Sequence, residues 1–169
     1  MISLDVVFLI FTPIIILLLP SIIFHFIFRE IRWEWEKINL DNISFPASFM
    51  WGTATASHQV EGGCVNNWSE FEKGTKDSGE PNIKDSQISG DACDHWNRYN
   101  DDINLIKNLG VKYYRFSLEW SKIEPKMGIY SNEALSHYSS LIDELIRNGI
   151  QPVITLHHFA HPIWFDQLG

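Results

Sequence analysis

Polar side chains that could bind or orient a substrate follow three short apolar runs of the sequence. Gln59 and Glu61 follow the first run, residues 115–120 close the second, and His157 and His158 end the third. An amide both donates and accepts hydrogen bonds, and a guanidinium holds a carboxylate in a fixed fork. A candidate site therefore requires a fold that brings the ends of the three runs together.

The three runs have the length and composition of β-strands. Residues 47–53 (ASFMWGT), 111–118 (VKYYRFSL) and 152–157 (PVITLH) are rich in apolar, aromatic or β-branched side chains. Runs of this length and type predict strands.

Two helices are predicted between the strands. Apolar side chains recur at spacings of three and four over residues 94–109 and again over residues 132–148. Gly110 and Gly149 follow these segments and suit helix C-termini. The order strand, loop, helix, strand, helix, strand predicts βαβ crossovers and a parallel sheet.

Both a doubly wound sheet and an eight-fold barrel fit this order of elements. The chain has neither GxGxxG nor GxxxxGK[ST] at a strand end, which disfavours a nucleotide site. A (β/α)₈ barrel builds its active site at the carboxyl ends of its strands, where the polar residues cluster here. The predicted fold class is α/β, the N-terminal portion of a TIM barrel with about three βα units.

The N-terminal segment is predicted to be a transmembrane helix. Residues 6–28 contain no Asp, Glu, Lys or Arg, and a run of this length can cross the hydrocarbon core. A cleaved signal peptide is the alternative, but the start lacks a basic region and no small-residue cleavage site follows. A buried globular helix would need a polar face, which this run lacks.

The prediction divides the chain into an anchor at 1–28, a juxtamembrane linker at 29–44 and a globular part at 45–169. The linker contains Trp33 and Trp35, which suit a lipid interface. Basic residues flank the apolar run only on its C-terminal side. The positive-inside rule therefore predicts a single-pass membrane protein with its globular part in the cytoplasm.

The overall charge argues against nucleic acid as a partner. The formal net charge is −8, and no basic patch with interleaved aromatic residues occurs. His157, His158 and His161 suggest a metal site, but neighbours on a strand point to opposite faces. We expect no metal and no cofactor. The sequence does not indicate an oligomeric state.

Three segments resemble motifs of glycoside hydrolase family 1. FPASFMWGTATASHQVEGG (residues 45–63) is similar to the family's WGxATxxxQxEG opening, and YRFSLEWSKIEP (residues 114–125) to its RFSxxWxRIxP motif. TLHHFAHP (residues 155–162) resembles TLxHWDLP. The resemblance runs in order over residues 45–169. It implies a retaining β-glycosidase of β-glucosidase type, acting on a small-molecule β-glycoside or oligosaccharide.

The resemblance also implies roles for particular residues. Gln59 and His158 match side chains that contact sugar hydroxyls, and Trp120 and Phe159 match aromatic positions beside the sugar. Arg115 matches the arginine that orients the nucleophilic carboxylate, although a structural ion pair would suit it equally. We expect Gln59 and His158 to lie side by side, at the ends of neighbouring strands and facing one pocket.

The two catalytic carboxylates of the family are expected to be absent from this chain. They lie in Asn-Glu-Pro and Glu-Asn-Gly motifs, and the sequence contains neither. Glu119 has no catalytic counterpart in the matching motif, so we assign it no catalytic role. The chain is therefore expected to be truncated and inactive by itself. The alternatives are a membrane-tethered inactive fragment or a sugar-binding module.

Overall fold

The computed structural model describes residues 4–27 and 35–168. The chain forms two compact units, Met1–Ala47 and Ser48–Gly169. The first unit contains helix α1 (Leu4–Ile27) and two single turns of 3₁₀ helix, Trp35–Lys37 and Leu40–Asn42.

No helix in the described parts of the chain is both long and apolar enough to cross a membrane. The predicted transmembrane anchor is therefore not supported. Residues 29–34 of the predicted linker, which include Trp33, lie outside the described residues. The predicted position of Trp33 and Trp35 at a lipid interface stays a prediction.

The second unit is built on a three-stranded parallel sheet. Its strands are β1 (Gly52–Ala54), β2 (Tyr113–Ser117) and β3 (Gln151–Thr155), in the spatial order β1-β2-β3. Each strand pairs with the next strand along the chain, which is the order found in a barrel. The predicted parallel sheet is confirmed.

Strand β1 is shorter than predicted because the chain turns at Ala47 and Ser48 and becomes extended only later. Its first residue, Gly52, lies very close to β2. A Cβ atom at this position would lie 2.6 Å from the Tyr113 carbonyl oxygen. The glycine therefore permits the close approach of the two strands.

The helices of the second unit differ greatly in length. They are α2 (Ser57–Val60), α3 (Asn67–Lys73), α4 (His95–Asn108), α5 (Trp120–Ile123), α6 (Asn132–Arg147) and α7 (Ile163–Asp166), with a 3₁₀ turn at Lys84–Ser86. The two long helices, α4 and α6, match the predicted helices closely. The Ser131 side chain accepts a hydrogen bond from the Ala134 N–H and caps α6.

The hydrophobic core lies between β2 and the two long helices. Tyr114 and Phe116 on β2 are buried against Ile103 of α4 and Leu141 and Leu145 of α6. Successive side chains of a strand alternate between the two faces of the sheet. The residue between the two aromatic side chains consequently points to the other face, and this residue is Arg115.

Candidate active site

The carboxyl ends of all three strands lie at one edge of the sheet. Gln59 lies on α2, directly after β1, and His158 lies in the loop after β3. Because β2 lies between β1 and β3, the prediction that these residues follow neighbouring strands is wrong. In a barrel consecutive strands are neighbours, so the predicted fold itself requires β2 to lie between β1 and β3. Whether Gln59 and His158 face one pocket stays a prediction.

Gln59 is an exposed residue held between two buried anchors. On its N-terminal side, the Ser57 N–H donates to the Ser117 hydroxyl oxygen over 2.8 Å. On its C-terminal side, the Glu61 carboxylate accepts a hydrogen bond of 2.7 Å from the Tyr138 hydroxyl. Both anchors are buried, with relative exposures of 3% for Ser57 and 4% for Glu61. The backbone is therefore fixed on either side of the amide that was predicted to bind sugar.

The Glu61 anchor also includes an ion pair. The Lys122 ammonium lies 3.2 Å from Glu61 Oε2 and donates a 2.9 Å hydrogen bond to the Gly62 carbonyl oxygen. It also lies 3.9 Å from the centre of the Trp96 ring, within the range of a cation–π contact. Burial raises the pKa of Glu61, and Lys122 and Tyr138 oppose that rise.

Glu119 is completely buried, at a relative exposure of 0%. Its carboxylate accepts hydrogen bonds from the hydroxyls of Ser57 (3.0 Å) and Ser121 (2.7 Å). The Asn66 side-chain amide lies 3.1 Å from both carboxylate oxygens, and the Glu119 N–H donates to the Tyr138 hydroxyl. Ser57, Asn66, Glu119 and Ser121 are called the Glu119 network below.

The sequence analysis missed this network because its members are far apart along the chain. Asn66 and Glu119 are separated by 53 positions. The one available signal was a charged residue next to the apolar end of β2. A carboxylate that is buried there requires hydrogen-bond donors. This signal indicates that Glu119 needs donors but does not indicate which residues supply them.

Arg115 and Trp120 occupy different surroundings. Arg115 is exposed on the sheet face opposite the core, where its guanidinium is accessible. Trp120 lies in an aromatic cluster, with ring centroids 4.9 Å from Phe165 and 5.7 Å from Trp164. The Trp120 indole N–H donates to Glu124 over 2.7 Å. The structure thus gives Trp120 a clear packing role, and its stacking on a sugar stays a prediction.

The loop after β3 is held by α3. The Phe159 carbonyl oxygen accepts hydrogen bonds of 3.1 Å from the side chains of Asn67 and Trp68. Asn67 also exchanges hydrogen bonds with the backbone of His161. Phe159 has a left-handed backbone (φ 65°) and is 70% exposed. This arrangement presents Phe159 and the half-buried His158 at the end of β3.

The histidines after β3 were expected to lie on the strand and therefore to point to opposite faces, and the placement on the strand is wrong for His157 and His158. His157 and His158 lie beyond the last residue of the strand, so strand alternation does not separate them. The third histidine, His161, pairs with Asp166, and its Nε2 lies 2.6 Å from Asp166 Oδ1. The His157 and His161 rings lie roughly parallel, with centroids 6.0 Å apart.

A cavity of about 410 Å³ opens beside the Glu61 anchor. Its lining includes Glu61, Trp96, Lys122 and Glu133 but neither of the predicted sugar-contact residues on the first and third loops. The cavity therefore lies beside the candidate site and does not enclose it.

The buried carboxylates of Glu61 and Glu119 cannot act as the acid and nucleophile of glycoside hydrolysis. The oxygens of Glu119 are held by hydroxyl and amide donors, and those of Glu61 by Tyr138 and Lys122. A retaining mechanism needs two carboxyl groups that reach the scissile bond from a shared pocket. The described arrangement can bind and orient a ligand, but Glu61 and Glu119 are not placed to attack it.

Comparison with known proteins identifies the family. The family model for glycosyl hydrolase family 1 matches residues 41–169. Myrosinase 1 of Brevicoryne brassicae is 38% identical over 133 residues, covering 74% of this chain and 28% of that protein. Beta-glucosidase A of Thermotoga maritima is 40% identical over 127 residues, covering 74% of this chain and 28% of that protein.

A solved structure of the family 1 β-glucosidase from Thermotoga maritima superposes with a TM-score of 0.67 at 36% identity. The match covers 74% of this chain and 29% of that one. The chain thus spans less than a third of the length of these relatives. The match to the family model, the identity to these relatives and the shared fold agree, and the chain belongs to glycosyl hydrolase family 1.

Proposed function

We propose that this chain supplies sugar-binding residues of a β-glucosidase-type enzyme, which hydrolyses β-glycosides with retention. The observation that carries the proposal is the position of Gln59 and His158 in the segments that follow β1 and β3, with Arg115 on strand β2 between them in one parallel sheet. The named relatives support the substrate class. Solved complexes of the Thermotoga maritima enzyme contain glucoimidazole and castanospermine.

Each residue has a distinct part in this proposal. The Gln59 amide donates to one sugar hydroxyl and accepts from another, and the His158 imidazole supplies a further hydrogen bond. Arg115 keeps the attacking carboxylate ionised and oriented through its fixed positive charge. In a retaining mechanism one carboxyl group protonates the leaving oxygen while the other attacks the anomeric carbon.

A chimera with a relative tests the proposal. Residues 45–169 of this chain replace the matching segment of the Thermotoga maritima enzyme, and kcat/KM is measured for a chromogenic β-glucoside. We expect turnover. Gln59→Ala and His158→Ala should each raise the barrier by about 2–4 kcal/mol, because each removes a contact that strengthens in the transition state.

The exposed residue Gln87 provides the matched control for this experiment. Gln87→Ala removes the same functional group far from β1 along the chain and should leave kcat/KM unchanged. A folded chimera in which Gln59→Ala and His158→Ala have no kinetic effect would refute the assignment.

The 169 residues by themselves are proposed to be inactive. They contain neither of the two motifs that hold the catalytic carboxylates in the family. The purified chain should therefore release no chromophore from the same β-glucoside. Release above that of a Gln59→Ala, His158→Ala double variant would overturn this part of the proposal. Calorimetric titration of the chain with castanospermine tests the sugar-binding alternative.

A further inference from the structure

We propose that Glu119 is a positioning residue that mechanically couples the loop bearing Gln59 to the loop bearing His158. Its effect on sugar binding rests on the function proposed above, whereas the coupling itself does not. Glu119 belongs to the β2–α5 connection, which lies between the other two loops. Contacts run from its carboxylate in both directions.

The first branch reaches Gln59. The Ser57 hydroxyl donates to Glu119 Oε2 over 3.0 Å, and Ser57 is the first residue of the single helical turn that carries Gln59. The Glu119 N–H donates to the Tyr138 hydroxyl over 2.8 Å, and that hydroxyl donates to Glu61. Glu119 thus contributes to the anchors on both sides of Gln59.

The second branch reaches the loop after β3. Asn66 is fully buried, donates to both Glu119 oxygens and caps helix α3 through the Ser69 N–H. The next two residues, Asn67 and Trp68, donate to the Phe159 carbonyl oxygen. The chain of contacts therefore ends at the residue that follows His158.

The branches share a carboxylate that acts only as an acceptor. The Ser57 and Ser121 hydroxyls and the Asn66 amide all donate to it. Glu119→Gln keeps the shape but replaces one of the two acceptor oxygens with an NH₂ group. The Asn66 NH₂ group then keeps one acceptor and faces a donor at the other position, so one of its two contacts is lost and the network holds its segments less firmly.

The polarity of the central pair can be reversed. Asn66→Asp alone sets a second carboxylate against Glu119, which is unfavourable in a buried site. In the double variant with Glu119→Gln, the new glutamine NH₂ group at position 119 donates to the new carboxylate at position 66, so the hydrogen bond runs in the opposite direction. The Asp side chain can still accept from the Ser69 N–H that Asn66 caps. A double-mutant cycle therefore measures the coupling directly.

The test is hydrogen–deuterium exchange of the full chain, followed by mass spectrometry on peptides covering residues 55–61 and 157–161. Glu119→Gln and Asn66→Asp should each accelerate exchange in both peptides by about tenfold. The double variant should return both peptides to within about threefold of the original chain. Glu70→Gln, on an exposed carboxylate of α3, should change neither peptide.

Two single-link variants keep the proposal testable if Glu119→Gln fails to fold. Ser57→Ala should accelerate exchange only in residues 55–61, and Asn67→Ala only in residues 157–161. Acceleration confined to residues 117–124 in the Glu119 variant, or no recovery in the double variant, would overturn the coupling. Equal acceleration of both peptides by either single-link variant would overturn the branched arrangement.

The chimera separates this inference from the proposed function. Glu119→Gln should raise KM for the β-glucoside about tenfold, with recovery when Asn66→Asp is added. An inactive chimera with the expected exchange pattern would refute the function and leave the coupling intact. An active chimera without the exchange pattern would refute the coupling alone.

Discussion

Strands β2 and β3 pair residue by residue, yet their side chains have very different surroundings. On β2, Phe116 is 3% exposed, whereas its register partner on β3, Ile154, is 41% exposed. Helices α4 and α6 pack against β2, and α6 also contacts β3, but the helix after β3 in the described residues, α7, is a single turn. Strand pairing therefore sets the register, whereas burial depends on the layer that covers the sheet.

The same contrast separates the two loops of the candidate site. The Gln59 turn is anchored by Ser57 and Glu61, both of which are buried. The loop after β3 presents Leu156 and Phe159 at exposures of 76% and 70% and is held mainly by hydrogen bonds from α3. The position of His158 thus depends on polar contacts more than on apolar packing.

The largest expected effect is on the free energy of unfolding and is found when paired positions of β2 and β3 are truncated. Phe116→Ala should lower the free energy of unfolding by about 3–5 kcal/mol, because it leaves a cavity in the core. Ile154→Ala should cost about 1 kcal/mol, since much of its surface is already exposed. Urea unfolding of both variants measures the difference. Similar losses would show that β3 is covered as well as β2.

The next effect concerns the turn after the Gln59 segment. Gly62 has a φ of +80°, and a Cβ atom there would lie 2.3 Å from the Asp91 carbonyl oxygen. Gly62→Ala should therefore destabilise the chain by about 3 kcal/mol through strain and collision. Gly63 has a φ of +61° but open space around it, so Gly63→Ala should cost about 1 kcal/mol. Thermal unfolding of the two variants makes the comparison.

A smaller effect is expected at the hydroxyl that links Glu119 to Glu61. Tyr138→Phe keeps the packing of the ring but leaves the Glu119 N–H and a Glu61 oxygen without their partner. The expected loss is about 2 kcal/mol in urea unfolding. Tyr130→Phe, at a 62% exposed site, should stay within about 0.5 kcal/mol of the original chain. A neutral Tyr138→Phe would mean that the hydroxyl adds nothing to the anchors of Gln59.

The smallest expected effect is a pH dependence of folding stability that arises from His137 on helix α6. The His137 ring stacks on Trp96 at 3.7 Å, and burial, helped by the charges of Lys122 and His95, lowers the pKa of His137 from 6.5 to about 4. The unfolded chain therefore takes up the proton first, and stability falls as the pH drops from about 6.5 toward 4. His137→Phe should flatten this slope between pH 7 and 5.5. An unchanged pH dependence of stability in His137→Phe would show that His137 does not cause it.

The sequence predicted well the elements that depend on local pattern. Helix α6 begins at Asn132 as expected, because a serine cap and a repeat of apolar residues at three and four positions coincide there. Leu141 and Leu145 of that repeat are buried in the core. The parallel sheet followed from the alternation of strands and helices.

Features that depend on distant contacts could not be predicted from the sequence. The buried site of Glu119 is formed by residues up to 62 positions away, so no local pattern describes it. The wrong expectation that Gln59 and His158 follow adjacent strands has a different origin. Consecutive strands of the predicted barrel are neighbours, so β2 lies between β1 and β3. Helix α3 was also missed, because its seven residues offer too short a repeat.

The hydrogen bond between the Trp120 indole and Glu124 limits what Trp120 could contribute to the proposed sugar site. With its N–H already engaged, Trp120 can offer a ligand only its carbon surface. Discrimination at this position would then follow the shape and apolar area of the approaching group. A planar aromatic substituent and a sugar ring of similar breadth would be distinguished there by fit alone, with the choice between hydroxyl patterns left to the neighbouring loops.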